Sequence, residues 1–274
     1  METKIIHEVQ DLTYLSWAKI RNSSGTAGSF LKSFSDLGGE KIYYKLSNFD
    51  AFQGMIGHEC INEIIVDRLL SILGIPHLHY QLIHADILIE GKQYTTYLCA
   101  SSDFKEKGEG KIALDAYYQV EHLEEETPLE FCIRNGWGTY IYEMLVVDFL
   151  ILNRDRHGAN IEVLRNRQKG TVRLAPLFDH GFSLIFSCVA EDAVQRVNVL
   201  EDKAIQCFVG SHSAEENLKQ ILTDQMPNVN PLKETDRNQL FEGLENVLPQ
   251  LWQDKIWEMI WTRWQYYESF CNQR

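Results

Sequence analysis

The sequence predicts a mixed α+β chain of two lobes, a β-rich first part followed by a mainly helical second part. Three observations carry this expectation. β-branched and aromatic runs broken by Gly- and Ser-containing turns occupy most of residues 1–100. The segment TYIYEMLVVDFLIL (139–152) is apolar on nearly every face, as a helix buried inside a core requires. The chain then closes on LENVLPQLWQDKIWEMIWTRWQYYESF, an aromatic-rich amphipathic helix or helix pair whose tryptophans read as core packing.

Taken in order, YLSWAKI (14–20) and EKIYYKLS (40–47) read as strands beside the turn-rich RNSSGTAGS and SDLGGE. HECINEIIVDRLLSIL (58–73) places Ile61, Ile64, Ile65, Leu69, Ile72 and Leu73 near helical spacing, with Gly74 and Pro76 as stop signals. LHYQLIHADILIEG and KQYTTYLCA are two strands around a Glu-Gly turn, and SSDFKEKGEGK (101–111) is the most loop-like stretch. A boundary between lobes is therefore placed at 100/101, giving an N-lobe of 1–100 and a C-lobe of 101–274. After the buried helix, IEVL and TVRLAPLF bracket RNRQKG as a hairpin.

The chain has 274 residues, 45% hydrophobic and 24% charged, enough to bury a real core. A formal net charge of -13 argues against nucleic acid as a direct partner, because phosphate binding needs a basic footprint. The six cysteines are scattered without CxxC pairs, which reads as free thiols in a reducing, cytoplasmic setting. No apolar run reaches membrane-spanning length, and METKIIHEVQDL lacks the blocks of a signal peptide.

The chemistry centres on LILNRDRHGANIEVL. An Asp-His-Asn grouping (Asp155, His157, Asn160) follows the buried helix, and Asp179 follows the hairpin in APLFDHGFSL. A hairpin brings its ends together, so Asp155, Asn160 and Asp179 can share one small volume. That oxygen-only set suits Mg²⁺, which keeps waters and substrate phosphates as its other ligands. Taken singly, the first aspartate is a helix-end charge and DHG a turn; their combination across a hairpin is what indicates a site.

The first part supplies what a nucleotide would need. SSGTAGS (23–29) offers Ser24, Gly25, Thr26 and Gly28, small residues whose backbone N–H groups can approach phosphates, although no Walker A ending follows. Lys45, at the end of a strand, can reach the phosphates, and Glu63 on the next helix can hold it, with Glu59 one turn earlier as a rival. Loop, strand lysine, helix glutamate, Asp…Asn and a second Asp is the order of parts in kinase-type phosphoryl transfer.

DRHGAN followed by FDHG resembles the D-R-H-x-x-N…D-x-G signature of phosphoinositide 3/4-kinases and of bacterial HipA-type serine/threonine kinases. SGTAGSFLKS, YYKLS, NEIIVDRLLSILGIP and CFVGSHSAEENL look more like small bacterial HipA-related proteins than lipid kinases. The resemblance covers roughly residues 20–215 and implies a two-lobed protein-kinase-like fold binding ATP and Mg²⁺. By motif position it implies Asp155 as catalytic base or hydroxyl-orienting residue, Asn160 and Asp179 as metal ligands, and Lys45 with Glu63 as the phosphate-holding pair. It further implies adenine along TTYLCA near Leu98 to Ala100, His157 ordering the catalytic loop, and autophosphorylation at Ser23, Ser24 or Ser29. The implied activity is phosphorylation of a protein serine or threonine, with a translation factor as the suggested substrate and an antitoxin as a further partner. HipA toxins carry an additional N-terminal subdomain, whereas this chain begins almost directly at the strand before the Gly-rich loop.

The alternatives are a phosphoinositide-type lipid kinase, disfavoured by the negative charge and the lack of a basic or apolar membrane-facing patch, and a catalytically idle nucleotide-binding module. His77 and His79 in PHLHY, with His84, resemble a metal site, but no acidic or thiol partner stands at a fixed spacing and they read as packing or surface. EHLEEETPLE (121–130) reads as a solvated acidic loop.

Overall fold

The computed structural model describes residues 4–18, 30–37, 39–50, 52–222 and 225–273. β1 (Lys4–Asp11), β2 (Lys32–Leu37), β3 (Glu40–Lys45), β6 (Gln81–Ile89) and β7 (Lys92–Ser102) form a five-stranded sheet in the order β1-β6-β7-β3-β2, with β4 (Phe49–Asp50) and β5 (Gly54–Met55) as a small separate hairpin. β1 runs parallel to β6 and the other neighbours are antiparallel. The turn between β6 and β7 is Glu90-Gly91, both at positive φ, the conformation a two-residue hairpin needs to match strand twist.

Alternation along β6 sends Ile83, Ala85, Ile87 and Ile89 to an outer cluster with Leu46, Leu98 and Ala100, while Leu82 points into the main core. That core face is covered by α1 (Glu59–Leu73), whose Ile64, Ile65, Leu69 and Leu73 are buried at helical spacing. Gly74 ends the helix at φ 74, a left-handed cap that returns its N–H to Ser71 and lets Ile75 N reach Leu70 O.

The second part is mainly helical. β8 (Glu109–Ala113) leads to α2 (Leu114–Glu121) and α3 (Pro128–Arg134), the latter opened by a Thr127/Glu130 capping box. α4 (Gly138–Ile151) is buried almost all round and packs against α6 (Ala214–Lys219) and α8 (Gln250–Asn272). β9 (Asp155–Arg156) follows it, and β10 (Glu162–Asn166) and β11 (Thr171–Leu174) form the expected hairpin, extended by β8 into three strands. β12 (Gln206–Cys207) pairs with β9, and α5 (Glu191–Gln195) and α7 (Asp236–Phe241) complete the packing. The chain closes on one helix, α8, with Trp252, Ile256, Met259, Ile260, Trp264 and Tyr267 on its buried stripe.

Three sequence expectations need correction. Residues 14–18 make only an isolated bridge, Ala18 to Lys32, because Asp11 Oδ1 accepts from Thr13 N and turns the chain out of β1; residues 19 and 20 lie outside the described set. The SDLGGE turn is shorter than expected, since β2 runs on to Leu37, which pairs with Glu40. β1 itself was not anticipated: it is a largely exposed edge strand and carries little apolar alternation.

Candidate active site

α4 delivers the first half of the site. It ends on Leu152 at φ 49, where Asn153 N reaches back to Asp148 O and the chain turns into Asp155. Inside the helix Asp148 is buried, and Arg156 meets it with two bonds of 2.9 Å, Nε to Oδ2 and Nη2 to Oδ1. The remaining nitrogen of Arg156, Nη1, donates to Asn160 O at 3.3 Å and Phe178 O at 3.0 Å. One buried guanidinium thus joins the Asp155 loop to the segment carrying Asp179.

Within the first loop, Asn160 Nδ2 donates to Asp155 O at 2.7 Å, which leaves its Oδ1 as the atom available to a cation. His157 Nδ1 accepts from Ala159 N at 3.2 Å, so the ring proton sits on Nε2, 3.7 Å from Asp155 Oδ1. Gly158 packs against α2, and a Cβ there would lie 2.5 Å from Asp115 Cβ. Burial, with the charge of Asp179 adding to it, pushes the Asp155 carboxyl up from its ordinary range.

Lys45 Nζ lies 2.9 Å from Glu63 Oε1 and 2.5 Å from Asp179 Oδ1. Burial alone would raise the Asp179 carboxyl, but Lys45 and then Lys32 outweigh it and hold the group well below the usual carboxylate range. Burial works against the Lys45 ammonium in the same way, and the charges of Asp179 and Glu63 reverse it to a clear rise. Glu63 also accepts from His180 N at 2.9 Å and Gly181 N at 3.1 Å, and Asn62 Nδ2 donates to Gly181 O and Ser183 O at 3.1 Å each. The DHG segment is therefore clamped to α1 through its backbone, and a Cβ on Gly181 would come within 3.4 Å of Glu59, Lys45 and Glu63 at once. Glu59, the rival partner, is occupied elsewhere: its Oε2 accepts from Asn48 N at 3.0 Å.

Of these groups Lys45 and Asp179 border a cleft of about 290 Å³ between the sheet and the second part of the chain. Lys32, Lys45 and Asp179 form its polar end, while Leu78, Phe104 and Phe178 supply apolar walls, the two phenylalanine rings 5.5 Å apart. Leu98 to Ala100, where adenine is expected, sit inside β7: Cys99 and Ala100 pair with both β6 and β3, Leu98 pairs with Ile83 of β6, and the side chains of Leu98 and Ala100 face the outer cluster. Pairing with β6 ends at Ala100, whereas β3 accompanies β7 to Ser102 and Lys41 O accepts from Asp103 N at 3.1 Å; Ser101, Ser102, Asp103 and Phe104 all border the cleft. Ser24, Gly25, Thr26 and Gly28, with Ser23 and Ser29, lie outside the described residues.

Sequence reasoning missed Arg156, Asp148, Asn62 and Lys32. Arg156 stands inside the quoted motif, and an Asp amid the apolar run LVVDFLI was the available sign that a cation had to meet it. Lys32 and Asn62 carried no local signal.

This architecture and site define a protein-kinase-like fold: an N-terminal sheet with one helix, followed by a helical C-terminal region. Among solved structures, the chain is similar to the Helicobacter pylori proinflammatory kinase CtkA, with a TM-score of 0.63 at 15% identity over 97% of this chain and 99% of that one. Weaker likenesses are to the Golgi casein kinase (TM-score 0.41, 11% identity, 90% of this chain and 72% of that one) and to HipA of Shewanella oneidensis MR-1 (TM-score 0.41, 14% identity, 90% and 59%). Comparison of the sequence with protein-family models and with curated proteins finds no match. Among the described residues no helix is long and apolar enough to cross a membrane.

Proposed function

We propose that the protein is an ATP- and Mg²⁺-dependent kinase that transfers the γ-phosphate to a serine or threonine hydroxyl of a protein. The observation that carries this reading is Lys45 Nζ held between Glu63 and Asp179, with Lys45 and Asp179 lining a cleft and Arg156 tying the Asp155–Asn160 loop to the Asp179 segment.

In this reading Lys45 and Lys32 offset the charge of the phosphates, and Asp155 orients the acceptor hydroxyl and takes up its proton. A carboxyl raised by burial is better matched to that proton than an ordinary one. Asn160 Oδ1 and Asp179 fit a hard cation because both offer oxygen and nothing softer. Bound there, Mg²⁺ would neutralise developing phosphate charge. Arg156 keeps the two loops in register, and His157 steadies the first through Ala159. Adenine has its apolar walls in Leu78, Phe104 and Phe178.

A net charge of -13 supports a protein acceptor over an anionic membrane. The test is transfer of label from γ-labelled ATP to cell-extract protein and, separately, to phosphoinositide vesicles. Label in protein with the parent and a loss of about 10²-fold or more with Asp155→Asn is expected. Label confined to the vesicles would overturn the acceptor, and no label in either arm would overturn the reaction.

A further inference from the structure

Outside the cleft, α1 carries a second polar group whose partners come from the turn that follows it. Asp67 lies one helical turn beyond Glu63 and its side chain is fully buried. His77 Nε2 approaches Asp67 Oδ1 at 2.9 Å and His79 Nδ1 approaches the same oxygen at 3.0 Å. The second carboxylate oxygen is fixed by Tyr80 N at 2.6 Å. The sequence offered no partner for these histidines because Asp67 sits ten positions before His77 and only the Gly74–Ile75 reversal brings it round.

The other nitrogen of His77 decides what the cluster is for. His77 Nδ1 lies 2.6 Å from Ile75 O, and a carbonyl only accepts, so Nδ1 carries the proton. In a neutral ring Nε2 is then a bare lone pair, and it faces a carboxylate oxygen. Two acceptors at 2.9 Å need a proton or a cation between them. An imidazole whose far N–H is anchored on a backbone carbonyl is the arrangement that orients histidine metal ligands. The ligand atoms of Asp67, His77 and His79 all lie within 4.8 Å of one another, and the His79 side chain is 44% exposed, which gives an ion both an entry path and room for a water.

We propose that Asp67, His77 and His79 bind a borderline first-row divalent cation of the zinc type, as a site separate from that of the nucleotide. Two imidazoles and one carboxylate select such an ion over Mg²⁺, which prefers oxygen alone. The ion pins α1 to the start of β6. Through Tyr80, whose OH accepts from Asp179 N at 3.3 Å, the pinned segment is contiguous with the cleft.

The test uses the full, untagged chain with Zn²⁺ and Co²⁺ as probes, against His79→Ala, His79→Gln and Asp179→Asn. We expect one equivalent of Zn²⁺ retained after desalting in the parent and in Asp179→Asn, and binding at least tenfold weaker in both His79 variants, which alter an exposed side chain. Co²⁺ should give the weak visible bands of a nitrogen and oxygen site without a thiolate charge-transfer band, and Zn²⁺ should raise the melting temperature of the parent more than that of His79→Ala. Equal affinity in the parent and both His79 variants, or no binding at micromolar free Zn²⁺, overturns the proposal and leaves an imidazolium–carboxylate cluster held by protons alone. Neither outcome bears on phosphate transfer, which is read separately.

Discussion

Arg156 and Asp148 form a fully buried two-bond ion pair whose spare nitrogen holds two different loops by their backbones. Removing one member of such a pair strands the other charge. Arg156→Met is therefore expected to cost about 3–5 kcal/mol of stability in urea unfolding. Arg156→Met combined with Asp148→Leu should regain most of that stability, since an apolar pair of similar volume fills the space. It should not regain turnover, because Asn160 O and Phe178 O remain unanchored. Recovery of both together would show that the pair serves only the fold.

Lys45 contacts Glu63 and Asp179, so Lys45→Met should reduce turnover by about 10²-fold or more while Glu63→Gln reduces it less. Glu63→Gln keeps an acceptor for Lys45 but has one donor too many toward His180 N and Gly181 N. Steady-state rates at saturating ATP test the order of the two effects, and Glu63→Gln being the more damaging would count against Lys45 as the phosphate ligand.

Gly158 touches α2 so closely that an alanine Cβ would sit 2.5 Å from Asp115 Cβ and 3.0 Å from Asp115 N. Backbone on one side cannot yield cheaply, and Gly158→Ala should cost about 1–3 kcal/mol and displace the catalytic loop. Thermal unfolding and turnover measured together check this; an unchanged melting temperature would mean that α2 moves freely.

His58 precedes α1 with a buried ring that makes no capping bond and whose Nε2 has no hydrogen-bond partner among the described residues, and burial pushes its pKa down to about 4. The unfolded chain takes up this proton near pH 6.5, the folded one only near 4. Stability from His58 is then complete above pH 6.5, declines as pH falls from there to about 4, and levels off below, a total on the order of 3 kcal/mol. The difference in unfolding free energy between the parent and His58→Gln should shrink over that window. A constant difference would mean that the ring takes up its proton equally readily in the folded and unfolded chain.

Much of this was legible because local rules and tertiary need agreed. α1 and α4 follow from apolar spacing and from being apolar all round, and the β10–β11 hairpin follows from its turn residues. The nearness of the Asp155–Asn160 loop to the Asp179 segment followed from the hairpin that rejoins them. What could not be read depended on register or on distant partners. The end of β6 pairing at Ala100, before β3 pairing stops at Ser102, is set by strands distant in sequence, which no window contains. Asp67 reads as one more charge on α1 until Gly74 reverses the chain and brings two imidazoles to it. Arg263 is similar: it looks like the polar face of α8, yet it is buried and donates to Val199 O, Phe149 O and Glu201 O.

The central claim is that the cleft is a Mg²⁺·ATP site built on Lys45, Asn160 and Asp179. Calorimetric titration of ATP with and without Mg²⁺, on the parent and on Asp179→Asn, tests it most directly. The account predicts saturable ATP binding that Mg²⁺ strengthens in the parent, with that strengthening lost in Asp179→Asn. Absence of ATP binding at millimolar nucleotide, or the same Mg²⁺ dependence in both proteins, would contradict it.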